Sequence, residues 1–223
     1  MIARRSLDRI YRIFQNGSPP RALNDYATHI PILIGLGRIR EIKRVLEFGC
    51  GHYSTLTFLN RCAFAHLEKL ESIENDVSWA ATIRKTVIGD ARWSLKFVSS
   101  EIADCVFDLD LEQFDLILID DSKTSTQRAA TIRAVAHRRP QHPWIVIHDY
   151  EVDEYRAAAN GFRHRHAFRA FNPQTGLVAN DATEARHLRR FLKAKSSCLQ
   201  PDDIGGWIKC FSSEFKHSSE FKL

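Results

Sequence analysis

No two cysteines in this chain stand at the C-x-x-C spacing, and its five cysteines, Cys50, Cys62, Cys105, Cys198 and Cys210, are odd in number and far apart. The spacing argues against both a zinc site and a disulfide framework, and a reducing cytoplasm is the expected compartment. Long apolar runs are missing as well. The most apolar stretch, Ile30 to Leu36, falls well short of the roughly 20 residues that span a bilayer, so no membrane span is expected. The first residues, MIARRSLDRIYRIF, are basic, but charges recur through them and no apolar core of signal-peptide length is present. The twin Arg4 and Arg5 are followed by further charges, so export is not expected either.

What remains suits one soluble domain: 223 residues, 44% hydrophobic and 26% charged, enough for a three-layer core. The formal charge of +5 raises the question of nucleic acid. The basic residues are scattered, however, and cluster only at Arg4 to Arg12, Arg138 to Arg139, Arg163 to Arg169 and Arg186 to Lys195. A solvated basic surface therefore ranks ahead of an anionic partner.

The stretch that organises the chain is Arg44 to Leu59, RVLEFGCGHYSTLTFL. The apolar run Val45, Leu46 and Phe48 reads as a buried strand, stopped by Gly49 and Gly51 before the helical run Leu56 to Leu59. Two glycines one residue apart allow a tight turn and a close approach of ligand to bare backbone. Ser54 or Thr55 is expected to cap the helix, whose free N–H groups would favour a carboxylate or phosphate. About twenty residues later the strand Lys69 to Asn75 carries an acid, Glu74, at its tip, where a nucleotide-binding βαβ unit holds ribose hydroxyls. The third glycine of a dinucleotide fingerprint is absent, since Tyr53 and Ser54 stand there.

Further along, the spacing predicts helices over Asp25 to Arg40, Val77 to Thr86 and Lys123 to Arg138, and strands over Trp93 to Val98, Phe114 to Ile119 and Trp144 to Ile147. Near-continuous apolar runs such as LILI and WIVI indicate strands buried on both faces of a parallel sheet. Short helices are also expected over Ser6 to Phe14, packed on the domain or serving as lid or subunit contact, and over Glu184 to Lys195. The tail repeats SSEFK and is expected to fray. These boundaries divide the chain into an N-terminal helical extension (1–24), a main domain (25–195) and a tail (196–223).

Ligands in such a sheet sit at the carboxyl ends of the strands. There the chain places Ser99, Ser100 and Glu101 after the third strand, Asp120, Asp121 and Lys123 after the fourth, and His148, Asp149 and Tyr150 after the fifth. Paired carboxylates can hold Mg²⁺, which orients a hydroxyl and lowers its pKa, and a nearby lysine or histidine can take the proton. Plainer roles stand beside these. Asp120 or Asp121 would cap the next helix, His148 would bond a loop, and His164 and His166 would line a solvated face. Thr28 and His29 precede a helix that could border the pocket.

The form E-x-G-x-G with a following acid, on Glu47, Gly49, Gly51 and Glu74, resembles the class I S-adenosylmethionine-dependent methyltransferases. The wording LEFGCGHYST and SIENDVSW is most similar to their bacterial small-molecule, O-methyltransferase-like branch. The resemblance implies a Rossmann-like three-layer sandwich of α/β class, with a mostly parallel seven-stranded sheet closed by a C-terminal antiparallel hairpin over Arg163 to Ala170 and Gly176 to Asn180. It implies S-adenosyl-L-methionine bound by Glu47, Gly49, Cys50, Gly51, Ser54, Glu74, Asn75, Ser100 and Asp120. D-x-x-K after the fourth strand and an acid after the fifth resemble the metal-dependent catechol-type enzymes, which would make Asp120 and Asp149 Mg²⁺ ligands and Lys123 the base. Tyr150 departs from that pattern. His148-Asp149 resembles a second bacterial group in which the histidine is the base, so His148, Asp149 and Lys123 form the catalytic set.

The expected acceptor is a small molecule, with nucleic acid ranked behind it and a second copy of the chain kept open as partner. The rival readings are a nucleic-acid methyltransferase, whose N/D-P-P-Y/F strand end is absent, an aminopropyltransferase, and a non-catalytic module that binds the cofactor.

Overall fold

The computed structural model describes residues 25–122, 124–169 and 172–181. A turn of 3-10 helix at Asp25–Ala27 leads into helix α1 (Ile30–Ile39). Strand and helix then alternate: β1 (Arg44–Phe48), α2 (Ser54–Leu59), β2 (Lys69–Glu74), α3 (Val77–Thr86) and β3 (Trp93–Phe97). After β3 come the short α4 (Ile102–Cys105), β4 (Leu116–Ile119), α5 (Ser125–Arg138), β5 (Trp144–His148) and α6 (Asp153–Ala158), and finally β6 (His164–Phe168) and β7 (Thr175–Ala179). The expected helices over Ser6 to Phe14 and Glu184 to Lys195, and the SSEFK tail, lie outside the described residues.

The strands form one seven-stranded sheet in the order β3-β2-β1-β4-β5-β7-β6. Strands β1 to β5 run parallel, while β7 is antiparallel to both β5 and β6. The order reverses between β1 and β4, which places the ligand crevice at their carboxyl ends. Period-two alternation divides the core between two faces. Leu46, Phe48, Ile117, Ile119, Ile145 and Ile147 pack with Ala129, Ile132 and Val135 of α5. Val45, Leu116, Leu118, Trp144 and Val146 point the other way, toward Leu33 and Leu36 of α1 and Phe58 of α2. Burial on both faces is why these strands read as continuous apolar runs. Among the described residues no helix is long and apolar enough to cross a membrane.

Two expected caps are corrected by the structure. Ser54 and Thr55 lie inside α2, whose N-cap position is Tyr53 with no side-chain capping bond, because the Thr55 hydroxyl is committed to Glu47 instead. Neither Asp120 nor Asp121 caps α5. That helix starts later, at Ser125, and its N-cap is Thr124, whose Oγ1 accepts from the Gln127 N–H at 3.3 Å. The short helices α4 and α6 carry too few residues to leave a periodic signature in the sequence.

Candidate functional site

The glycine turn is shaped by its neighbours. Gly49 has φ +83°, and a Cβ there would lie 2.5 Å from the Asp120 carbonyl oxygen and 2.6 Å from Asp121 Cα. The left-handed backbone and the contact with the β4 end each demand glycine at this position. Around the turn, the Gly51 N–H donates to Thr55 Oγ1 at 3.1 Å, and Thr55 Oγ1 donates to Glu47 Oε2 at 2.8 Å. Ser72 Oγ adds a second bond to the same oxygen at 2.6 Å. Glu47 is fully buried, its Oε1 has no hydrogen-bond partner among the described residues, and burial pushes its carboxyl up to about 7. Trp79 pins the other side, donating its Nε1–H to the Cys50 carbonyl at 2.6 Å while His52 meets the indole edge-on.

Glu74, at the tip of β2, is aimed by backbone. Its Oε1 accepts the N–H groups of Asn75 and Asp76, both at 2.8 Å, and its Oε2 accepts the Cys50 N–H at 3.3 Å. Asn75 thus serves the site through its backbone. The buried Cys50 thiol lies 3.7 Å from the same carboxylate and is raised, by burial first and then by Glu47 and Glu74, so it stays protonated. Ser54 is buried at the turn, whereas Ser100 is exposed beyond β3.

At the ends of β4 and β5 the structure brings Asp120, His148 and Asp149 together around Arg128 of α5, a residue that sequence reasoning missed. Arg128 NH2 lies 3.0 Å from Asp120 Oδ1, its NH1 donates to Asp149 Oδ2 at 2.6 Å, and its Nε donates to the Asp121 carbonyl at 2.7 Å. The guanidinium is nearly buried and also lies over the Tyr155 ring. In the sequence it was one arginine among several on a helix otherwise rich in alanine. Only its tertiary setting separates it from the exposed ones. Asp149 reaches this cluster with φ +56°, a left-handed conformation that aspartate tolerates better than most residues.

His148 is only 3% exposed. Its Nδ1 stands 3.2 Å from Asp120 Oδ1 and its Nε2 3.0 Å from Thr28 Oγ1. Burial would lower its pKa, but the Asp120 carboxylate outweighs burial and raises it. Reciprocally, burial would raise Asp120, and the His148 ring and Arg128 hold it well below the usual carboxylate range. His29 packs edge-on against His148, with ring centroids 4.7 Å apart. Burial, followed by the charge of His148, lowers His29 to about 3. Thr28 and His29, placed at the pocket border by sequence position alone, are therefore in contact with the candidate base. Asp121 points away from the crevice. Its Oδ2 accepts from Thr131 and Ser122, and burial pushes it up to about 6. Lys123 lies outside the described residues.

Asp120 and Asp149 do not fit the divalent cation expected between them. The Arg128 guanidinium bonds both carboxylates and so takes the place between them that a shared ion would need. Tyr150 offers no ligand there, since its ring packs on Gly176 of β7 so closely that a Cβ at Gly176 would lie 2.4 Å from it. His164 and His166 sit on β6, at the edge of the sheet and away from this cluster.

Residues 46–150 match the family described as Methyltransferase domain. No curated protein matches the sequence. Solved structures that share the fold include the following three. A methyltransferase of Podospora anserina, bound to S-adenosylhomocysteine, is 15% identical with a TM-score of 0.55, over 79% of this chain and 88% of that one. An O-methyltransferase of Bacillus cereus in complex with the same molecule is 15% identical with a TM-score of 0.52, over 78% and 90%. The O-methyltransferase TomG of Streptomyces achromogenes, involved in tomaymycin synthesis and in complex with S-adenosylmethionine, is 16% identical with a TM-score of 0.52, over 79% and 90%. At such identities the likeness is one of fold.

Proposed function

Since this chain carries a methyltransferase domain of the class I fold over residues 46–150, we propose that it transfers the methyl group of S-adenosylmethionine to a hydroxyl of a small molecule. The observation that carries this reading is Glu74. Its carboxylate is held by three backbone N–H groups beside the Gly49 to Gly51 turn, where it can accept both hydroxyls of a ribose. The turn itself gives the methionine portion a close approach to backbone, with Cys50, Ser54 and Asn75 around it and Ser100 toward the adenine. Asp120 and Glu47 are assigned to the methionine side, and Glu47 Oε1, without a hydrogen-bond partner among the described residues, suits an ammonium group.

The sulfonium methyl is already activated, so the protein mainly aligns it with the acceptor oxygen and removes a proton. Among the described side chains His148 is the proton acceptor, oriented by Asp120 and Thr28. The Thr28 hydroxyl, 3.0 Å from Nε2, marks where an acceptor hydroxyl would sit on displacing it. The acceptor oxygen then attacks the methyl carbon, its proton passes to the imidazole, and S-adenosylhomocysteine leaves. No step here uses Mg²⁺. Asp149 acts by holding Arg128, and Lys123 remains a second candidate base. The division into a 25–195 domain with flanking segments belongs to the same proposal.

Calorimetric titration of S-adenosylmethionine tests the reading. Wild type binds saturably, and Glu74→Ala weakens binding 10-fold or more, as loss of charge-assisted bonds worth about 1.5–3 kcal/mol requires. Glu74→Gln, which keeps the shape, separates lost recognition from misfolding. A folded wild type that binds no S-adenosylmethionine would end the proposal.

A further inference from the structure

His29 is an anomaly in this core. Its ring is 1% exposed, and neither Nδ1 nor Nε2 has a hydrogen-bond partner among the described residues. A buried polar group left unsatisfied costs about 1–3 kcal/mol, and this ring carries two. It does not face apolar surroundings alone. One nitrogen of His29, one of His148 and a carboxylate oxygen of Asp120 all lie within 4.8 Å of one another. We propose that His29, His148 and Asp120 form a binding site for a divalent transition-metal ion, distinct from the expected Asp120–Asp149 pair.

The arrangement around the three residues is that of ligands with an outer shell in place. His148 Nδ1 stands 3.2 Å from Asp120 Oδ1, close to the separation of about 3.3–3.5 Å that two donors have on a tetrahedral ion with bonds near 2.0–2.1 Å. With the ion on Nδ1, the Nε2–H donates to Thr28 Oγ1, 3.0 Å away, whose own hydroxyl faces the Asp25 carbonyl at 3.4 Å. A ligating histidine is normally oriented by such a bond from its second nitrogen. Arg128 plays the matching part for Asp120, as the donor that fixes a ligating carboxylate. His29 closes the triangle with a ring movement on the order of 1 Å, from 4.8 Å to ligand spacing. Two imidazoles and one carboxylate favour Zn²⁺, Fe²⁺, Co²⁺ or Mn²⁺ over Mg²⁺. Three protein ligands also leave a coordination place open.

The role of the ion rests on the methyltransferase reading; its binding does not. An acceptor hydroxyl in the open place would ionise near neutral pH and release its proton to water. The ion would then replace His148 in that one step and leave the transfer unchanged. It would also fasten the segment before α1, which carries His29, to the ends of β4 and β5.

The test is titration of Co²⁺ into chelator-treated protein, followed by visible absorption, with S-adenosylmethionine calorimetry in parallel. One equivalent of Co²⁺ gives a saturable d–d band without a thiolate charge-transfer band, and Zn²⁺ displaces it. His29→Gln, checked by circular dichroism, loses 100-fold or more in Co²⁺ affinity while S-adenosylmethionine affinity stays within about 3-fold. Thr28→Val, which removes only the orienting bond, loses roughly 10-fold. No Co²⁺ uptake by the folded wild type, uptake unchanged in His29→Gln, or a thiolate band would each overturn the site. Cofactor binding without Co²⁺ uptake removes the metal alone, and Co²⁺ uptake without cofactor binding removes the methyltransferase reading alone.

Discussion

Replacing Arg128 by methionine tests whether the guanidinium is what holds the candidate site together. The side chain is 9% exposed and bonds two carboxylates and the Asp121 carbonyl. Methionine keeps most of the volume and none of the charge, so the main loss is electrostatic. Asp120 and Asp149 would remain at the ends of β4 and β5 with their shared counter-ion gone. Removing one partner of a buried ion pair costs about 3–5 kcal/mol, a large share of the roughly 5–15 kcal/mol that stabilises a typical domain. At about 2–4 °C per kcal/mol for a chain of this size, Tm should fall by about 6–20 °C.

The pH dependence gives an independent sign. Asp120 is held below its ordinary value, so its contribution is complete above the unfolded-state pKa near 3.9 and is lost as pH falls through the folded-state value. Without Arg128 that folded-state value rises, and acid unfolding begins at higher pH. Urea unfolding at pH 7 and a pH titration of near-ultraviolet circular dichroism measure both effects. Adding Asp149→Asn to Arg128→Met should recover part of the loss, with a coupling of about 1–3 kcal/mol. A loss below about 1 kcal/mol in the single variant, or no recovery in the double, would refute the reasoning.

Gly49→Ala combines a left-handed residue, costing about 1–2 kcal/mol, with overlap at 2.5 Å from the Asp120 carbonyl, costing about 1–3 kcal/mol more. A Tm within 1 °C of wild type would contradict this. Glu47 is raised to about 7 by burial, so between the unfolded-state value near 4.3 and about 7 the native state binds more protons. Stability therefore falls as pH rises through that window, by up to about 4 kcal/mol from this group. Glu47→Gln should flatten the change between pH 5 and pH 8 in urea unfolding, and an unaltered slope would show that another group is responsible. His148→Asn should fold and bind S-adenosylmethionine yet lose about 10²- to 10⁴-fold in turnover once an acceptor is found; retained turnover would exclude His148 from the proton step.

Much of the architecture was legible because it depends on local chemistry. Continuous apolar runs marked β4 and β5 as strands covered on both faces. The Gly49 to Gly51 turn between an apolar strand and a helix, with Glu74 at the next strand tip, located the crevice. Helix α3 was read to its observed ends, because Asp76 caps it through the Ser78 and Trp79 N–H groups and its apolar spacing is regular. Errors arose where a polar side chain had a choice of partner. Thr55 turned to Glu47 rather than to the helix end, and Asp121 took Thr131 in place of a capping role, since burial rewards whichever donor the fold brings nearest.

The sequence by itself determined which residues stand at the carboxyl ends of the strands, because strand order in chain and alternation of faces follow from periodicity. Tertiary structure alone decided what those residues meet. Arg128 lies eight residues after Asp120 and Asp149 lies twenty-one after Arg128, yet its guanidinium joins the two carboxylates. His29 and His148 come from opposite ends of the domain and touch because α1 packs across the sheet beside β5. Such contacts join distant segments through packing, and no local period or propensity encodes them.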